Sequence, residues 1–231
     1  MSWHSKLFTS KPQKPLIIGV AEDEWHYCIA YFEANQPIVN FYPKSTALEE
    51  HLTVLPLSLI ENKQIVRPLP YHYIWRKYLI QPLIKTQDAI FRQVVQQELP
   101  IAIEEVYFDY QATMIPEQNL TQLIIYALRK RFAEPLLLTT DTVLDCELHC
   151  WQRAVTYLTP KQTANSQIYA FKGKFVEFKL NELSIQNESD KQYISIENLD
   201  LPEDIISQEL YLLALGAALW QEKENKYEKE H

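Results

Sequence analysis

The chain has 231 residues, 47% hydrophobic and 23% charged, with 22 Lys+Arg against 30 Asp+Glu and a net charge of −8. That length suits one compact domain or two closely joined subdomains, and the acidic surface repels a polyanion, which argues against nucleic acid as the main ligand unless a local basic patch exists. Only 3 glycines occur, Gly19, Gly173 and Gly216, against roughly 16 at average usage; with glycines this far apart neither GxGxxG nor GxxxxGK[ST] can form, which excludes a Walker ATPase or a Rossmann dehydrogenase.

Residues 1–14 are basic and polar and read as a loose arm, without the apolar centre of a signal peptide. Leu16 to Val20, Trp25 to Phe32 and Gln36 to Phe41 are strand-like runs that predict a meander opening an α/β or α+β domain. Thr46 to Ile60 predicts a helix carrying Leu48, Leu52, Leu55 and Leu59, disturbed by Pro56. Tyr71 to Tyr78 is extended and aromatic. Lys85 to Leu99 has the stripe of an amphipathic helix, stopped by Pro100.

Glu104 to Gln111 alternates, with Val106, Phe108 and Tyr110 on one side and Tyr107, Asp109 and Gln111 on the other. Leu120 to Phe132 carries apolar residues at helical spacing and predicts a helix. Leu136 to Thr139 predicts a buried strand, and Leu144 to Leu158 a helix. Ile168 to Leu180 predicts a hairpin turning at Lys172-Gly173. Residues 181–200 are weakly patterned. A last helix is predicted from Pro202, with an all-round apolar core, LYLLALGAALW, that belongs at the centre of the molecule. The longest apolar run, Leu210 to Trp220, is about half a membrane span. The charged residues 222–231 form a tail, and the chain reads as soluble and cytoplasmic.

Several residue sets bear on chemistry. Cys146, His149 and Cys150 share a helical face, but a structural zinc needs four ligands and no second Cys/His pair exists; packing outweighs ligation here. Three cysteines, Cys28 being the third, do not make a secreted disulfide framework. Glu104 and Glu105 with Asp109, and Asp141 with Asp145, are carboxylate groups whose simpler roles are solvation and capping. No nucleophile stands at a recognisable spacing from a base, so no catalytic residue is assigned. The basic runs Arg76-Lys77 and Arg129-Lys130-Arg131 are short, and the second is explained by the C-terminal end of the helix predicted there. Aromatic residues concentrate in 69–78 and 107–110, a pattern that fits a protein interface better than single-stranded nucleic acid.

Four motifs in order resemble the PilM-like pilus-assembly family. YHYIWRKYL (71–79), the helix ending in QQELP (96–100) and the strand IAIEEVYFDYQ (101–111) resemble its insert subdomain. VLDCELHCWQRA (143–154) resembles its "xVDVExFAxxRA" helix, and LYLLALGAALW (210–220) its closing "YxLALGLALR". The nearest likeness is to the competence branch, ComA or HofM, linked to DNA uptake through type IV pilus-like machines.

The resemblance implies an α/β, shortened actin-like (ribonuclease H-like) fold with an inserted α+β subdomain. The implied parts are an arm at 1–14, a first part of the lobe at 15–67, the insert at 68–133, the remainder with a reduced second half at 134–221, and a tail at 222–231. It further implies a cytoplasmic role, peripheral to the inner membrane: holding the cytoplasmic tail of a bitopic PilN-like membrane protein and coupling it to the assembly ATPase. Tyr73, Trp75, Tyr107 and Tyr110 are the candidate partner-binding aromatics, with burial between insert and lobe as their simpler role.

The departures are specific. Where the family has I-G-[IL]-D-[IL]-G-S-S, this chain has Ile18 to Glu24: Ala21 replaces the metal-organising aspartate, and Asp23 and Glu24 replace the glycine and serine. Carboxylates beside a phosphate destabilise it, and the amide nest lacks its glycine. No D-x-G-x-x-x-T loop follows, and only 55 residues separate Ala154 from Leu210. The expectation is a non-enzymatic scaffold without cofactor or metal; the alternative is a residual ATP-binding protein of the actin-like class.

Overall fold

In the computed structural model, residues 15–55, 62–82, 93–94, 96–99, 101–139, 142–159, 167–178 and 183–221 are described. Leu16–Glu22 (β1) is apolar at both parities because it is covered on both sides. Ile18 and Val20 point to one core, with Ile29, Tyr31, Ile65 and the helix residues Leu48 and Leu52. Ala21 points to the other, with Cys28, Ala30 and Val66.

β1 is flanked by His26–Glu33 (β2), which continues into Gln36–Pro43 (β3), both antiparallel, and by Lys63–Leu69 (β4) in parallel. Val143–Cys146 (β8) adds to β4 in parallel, giving the order β3-β2-β1-β4-β8. This mixed five-stranded sheet, antiparallel at one end and parallel at the other, is that of a shortened actin-like (ribonuclease H-like) α/β fold. Leu48–Thr53 (α1) covers the first face.

The second face is floored by small residues, and Gln208–Ala218 (α4) lies directly on it. A Cβ on Gly19 would stand 2.0 Å from the Ala214 carbonyl oxygen, so only glycine permits this approach of helix to strand. Glu147–Leu158 (α3) packs on the far side of α4. Gln167–Phe171 (β9), Lys174–Phe178 (β10) and Leu183–Gln186 (β11) form an antiparallel sheet whose Tyr169, Phe171 and Val176 join the same core. Trp151 of α3 meets Phe171 edge-on at 4.8 Å. The hairpin turns at Lys172 (φ 49) and Gly173 (φ 71), as the sequence predicts, with both residues in the left-handed region that a two-residue turn requires.

A third sheet is inserted between β4 and β8. Ile74–Pro82 (β5) and Val106–Ile115 (β6) both pair antiparallel with Leu120–Arg129 (β7), in the order β5-β7-β6. One face carries Trp75, Leu79, Leu123, Ile125, Ala127, Phe108 and Tyr110, and packs against Val94 and Leu99. Of the helix predicted over Lys85 to Leu99, residues 93–94 and 96–98 are helical, and 83–92 and 95 lie outside the described residues. The arm at 1–14, the tail at 222–231 and Asp141 also lie outside them.

Four sequence expectations are corrected. Leu120 to Phe132 is strand β7 followed by one turn, Lys130–Ala133 (α2). As the central strand it is buried on both faces, so its apolar run is nearly continuous and mimics a helical stripe; the β-branched Thr121, Ile124 and Ile125 favour the strand. Leu136 to Thr139 is no strand: Glu134–Leu136 is a single 3₁₀ turn, with Pro135 in its first positions. The helix expected from Leu144 begins at Glu147, because Val143–Cys146 pairs with β4. The last helix begins at Gln208, not Pro202, with the Ser207 hydroxyl accepting the Leu210 N–H. Within the weakly patterned 181–200, β11 had no alternation strong enough to announce it.

Candidate functional site

The turn between β1 and β2 carries Asp23 and Glu24, the residues that the family resemblance sets against a phosphate loop. Ala21 is buried in β1 opposite Cys28. The Asp23 carboxylate accepts the N–H groups of Trp25 (2.7 Å) and His26 (2.6 Å), and the Asp23 N–H donates to the His26 carbonyl at 3.0 Å. Lys44 Nζ donates to the Asp23 carbonyl at 2.8 Å. The amides that would cradle a phosphate are thus taken by the turn's own aspartate. Glu24 is exposed.

Nearby cations are also committed. Glu22 lies 3.2 Å from Lys44 Nζ and 2.9 Å from Arg67 Nη2. Arg67, only 4% exposed, donates its other terminal nitrogen to the Leu136 carbonyl at 3.1 Å, tying the end of β1 to the 134–136 turn.

Asp145 stands in β8 rather than at a helix start. It accepts the Cys146 N–H at 2.8 Å, takes Arg153 Nη2 at 2.5 Å, and lies 3.9 Å from His149 Nδ1. Arg153 Nε donates to the Gly216 carbonyl at 2.7 Å, joining β8, α3 and α4. Burial pushes the Cys146 thiol up to about 11 and raises Cys150 well above its ordinary value, the Asp145 carboxylate adding to both. Protonated thiols packed beside an ion pair suit a core rather than a metal. Among the described residues no group of His, Cys, Asp and Glu is placed to hold a metal ion.

The four candidate aromatics fall in three places. Trp75 and Tyr110 face the core of the inserted sheet. Tyr107 is 45% exposed and, by the alternation of β6, points from the opposite face, beneath Lys130 Nζ at 5.4 Å from its ring. Tyr73 stacks on Phe132, centroids 4.2 Å apart and planes within 9°. Tyr73 and Trp75 share one groove; Tyr107 and Tyr110 do not line it.

That groove, about 550 Å³, opens where β5 begins and β7 ends. Its floor is Trp75, Val106 and Ala127, and Arg76, Arg129 and Arg131 also line it. The sequence had exposed these arginines as two short basic runs. The helix expected over 120–132 supplied a dipole to explain the second run, and with β7 in its place that explanation has no basis. The edge of the same sheet is different: Glu104, Glu105, Tyr107 and Asp109 are exposed along the start of β6.

Among the described residues no helix is long and apolar enough to cross a membrane. No family model matches the sequence, and no curated protein does. Among solved structures, the chain is similar to the cytoplasmic domain of EpsL, an inner-membrane component of the type II secretion system of Vibrio cholerae: 10% identity over 89% of this chain and 96% of that one, TM-score 0.49. It is also similar to a protein of unknown function with an actin-like ATPase fold from Bacteroides thetaiotaomicron: 9% identity over 74% of this chain and 68% of that one, TM-score 0.36.

Proposed function

We propose that the chain is a non-catalytic scaffold of a competence or type IV pilus-like DNA uptake machine. In this reading it sits on the cytoplasmic side of the inner membrane, holds the cytoplasmic tail of a bitopic PilN-like membrane protein, and couples that tail to the assembly ATPase. The observation that carries the scaffold reading is the closed β1–β2 turn: Asp23 occupies the amides of Trp25 and His26, and Glu22 occupies Lys44 and Arg67. A nucleotide phosphate there would meet two carboxylates and no free amide nest. The ordered PilM-like motifs supply the setting.

The tail is placed along β6. This strand is an edge of its sheet among the described residues, and an extended peptide can add to such an edge. Cytoplasmic tails beside a membrane span are enriched in Lys and Arg, which complements Glu104 and Asp109, with Tyr107 as the aromatic contact.

The test uses the full chain with a synthetic peptide carrying the cytoplasmic tail of a PilN-like bitopic membrane protein. At a hundredfold excess over Kd the peptide stabilises by about 2.7 kcal/mol, a rise in Tm of about 5–11 °C. Tyr107→Ala with Asp109→Asn should abolish the rise. A tail peptide that neither binds nor raises Tm overturns tail capture. Micromolar binding of ATP with magnesium in a calorimeter overturns the scaffold reading in favour of a residual nucleotide-binding protein.

A further inference from the structure

We infer that the arginine-lined groove at the root of the inserted sheet is a second docking site, which takes an extended acidic segment of a partner protein. This goes beyond tail capture and does not depend on it. The charge of the groove is opposite to that of the molecule: the chain carries −8, yet Arg76, Arg129 and Arg131 line this one hollow and no Asp or Glu does among the described residues. No ion pair forms to any of the three among those residues. Arg76 lies over the Tyr126 ring at 5.3 Å, on the opposite face of β5 from Trp75, and its Nε is buried without a hydrogen-bond partner, so Arg129 and Arg131 supply the guanidinium groups that face a ligand. Glu105 stands in an adjoining smaller hollow with Arg129, Lys130 and Arg131, leaving three cations to one carboxylate there.

Screening makes the local charge decisive. At physiological salt the Debye length is about 8 Å, so a ligand within the groove responds to the arginines more than to acidic residues beyond that range. Guanidinium groups bind carboxylates in a fixed bidentate fork. Between them, the floor of Trp75, Val106 and Ala127 offers apolar contact for aliphatic side chains. Acidic and apolar residues in alternation match that arrangement along an extended chain.

The basic membrane-flanking tail described above does not fit, because like charges would meet in a partly desolvated hollow. A single-stranded nucleic acid does not fit either. Of the rings at the groove, Tyr73 and Phe132 are stacked on each other with His72 and Arg131 against them, and Trp75 packs against the core of its sheet, which leaves little ring face for a base.

The test is fluorescence anisotropy on the full chain with a labelled synthetic peptide alternating Glu and Leu, compared with its Gln/Leu counterpart. The Glu/Leu peptide should bind and weaken with added salt, and the Gln/Leu peptide should not bind. Arg129→Glu and Arg131→Glu should each weaken binding by about tenfold or more. Lys174→Glu, on the β9–β10 hairpin and in the lining of neither hollow, should leave it unchanged. Arg131 is exposed on a single helical turn, so its variant keeps the fold, and an unshifted Tm checks this. Equal binding of both synthetic peptides, no binding of either, or an equal loss in Lys174→Glu overturns the proposal. So does displacement of the Glu/Leu peptide by the tail, by a single-stranded oligonucleotide or by phosphatidylglycerol vesicles.

Discussion

Gly216 in α4 lies directly against the backbone of Cys150 in α3: a Cβ on the glycine would stand 1.7 Å from the Cys150 carbonyl oxygen and 2.9 Å from its Cα. Backbone cannot step aside as a side chain does, so the two helices must separate to admit a methyl group. Separation also pulls the Gly216 carbonyl from Arg153 Nε, now at 2.7 Å. Gly216→Ala should therefore cost about 3 kcal/mol or more, despite the better helix propensity of alanine, and lower Tm by about 6–12 °C. Gly19→Ala should act similarly at the face of β1. Gly173→Ala, with open space around it and only its φ of 71 to strain, should cost about 1 kcal/mol. Thermal scans of the three variants rank them, and an unchanged Tm for Gly216→Ala contradicts the packing described.

Glu147 joins three segments. It is 3% exposed, accepts the Tyr71 N–H at 2.9 Å where the chain enters the insert, and accepts Lys172 Nζ at 3.1 Å from the β9–β10 hairpin. Lys172 reaches on to Glu209 at 2.7 Å, at the start of α4. Glu147→Leu should cost about 2–4 kcal/mol by leaving the Tyr71 amide unsatisfied. Glu209→Gln, on an exposed partner, should cost under about 1 kcal/mol. Urea midpoints with constant m decide whether the buried carboxylate or the surface pair dominates.

The three cysteines make alkaline pH destabilising. Burial raises the Cys146 thiol to about 11 from an ordinary 9.0, and raises Cys28 and Cys150 as well. Between pH 9 and about 11 the unfolded chain loses the Cys146 proton and the folded chain keeps it, so stability falls as pH rises. At about 1.4 kcal/mol per pH unit, Cys146 alone removes on the order of 2–3 kcal/mol. Lys172 acts in the same direction: burial lowers its pKa, but Glu209 and Glu147 outweigh that and raise it, so its bridges hold below the raised value and are lost above it. Denaturant midpoints at pH 9 and 11 should differ accordingly. At pH 8 a thiol reagent should label none of the cysteines until denaturant is added.

Ala34 marks a local misfit. It turns β2 into β3 with φ 48, followed by Asn35 at φ 66, a pair of left-handed residues for which asparagine or glycine is the usual first member. A left-handed alanine costs about 1 kcal/mol. Ala34→Asn should raise stability by about 0.5–1 kcal/mol and Ala34→Val should lower it, both read as shifts in Tm. An Ala34→Asn variant that loses stability would show that the turn relies on contacts of the methyl group.

The opening meander, the hairpin at Lys172-Gly173 and the all-round apolar α4 were readable because each has a local signal: alternation, a turn dipeptide, a run with no polar face. β7 was not, because a central strand loses its alternation when both faces are covered, and the residues that then remain apolar coincide with a helical period. The same misreading concealed the groove, since a basic run at a helix end needs no further reason, whereas one at a strand end does. Asp23 and Glu24 were readable as wrong for a phosphate, but the capture of the Trp25 and His26 amides by Asp23 needed coordinates. Arg153 and Glu147 carry no sequence signal: their partners at Gly216, Tyr71 and Lys172 are distant in the chain and polar only through the backbone or a single charge.

The closeness of Gly19 to Ala214 sets the order in which the protein can be finished during synthesis. Strands β1 to β3 leave the ribosome early and can pair at once, but the face holding Gly19, Ala21, Cys28 and Ala30 has no cover until residues 208–218 follow. At about 5–20 residues per second that face stays wet for roughly ten to forty seconds. A nascent chain in that interval offers a sheet with a bare apolar side, and a chain truncated ahead of residue 208 lacks the helix that covers it.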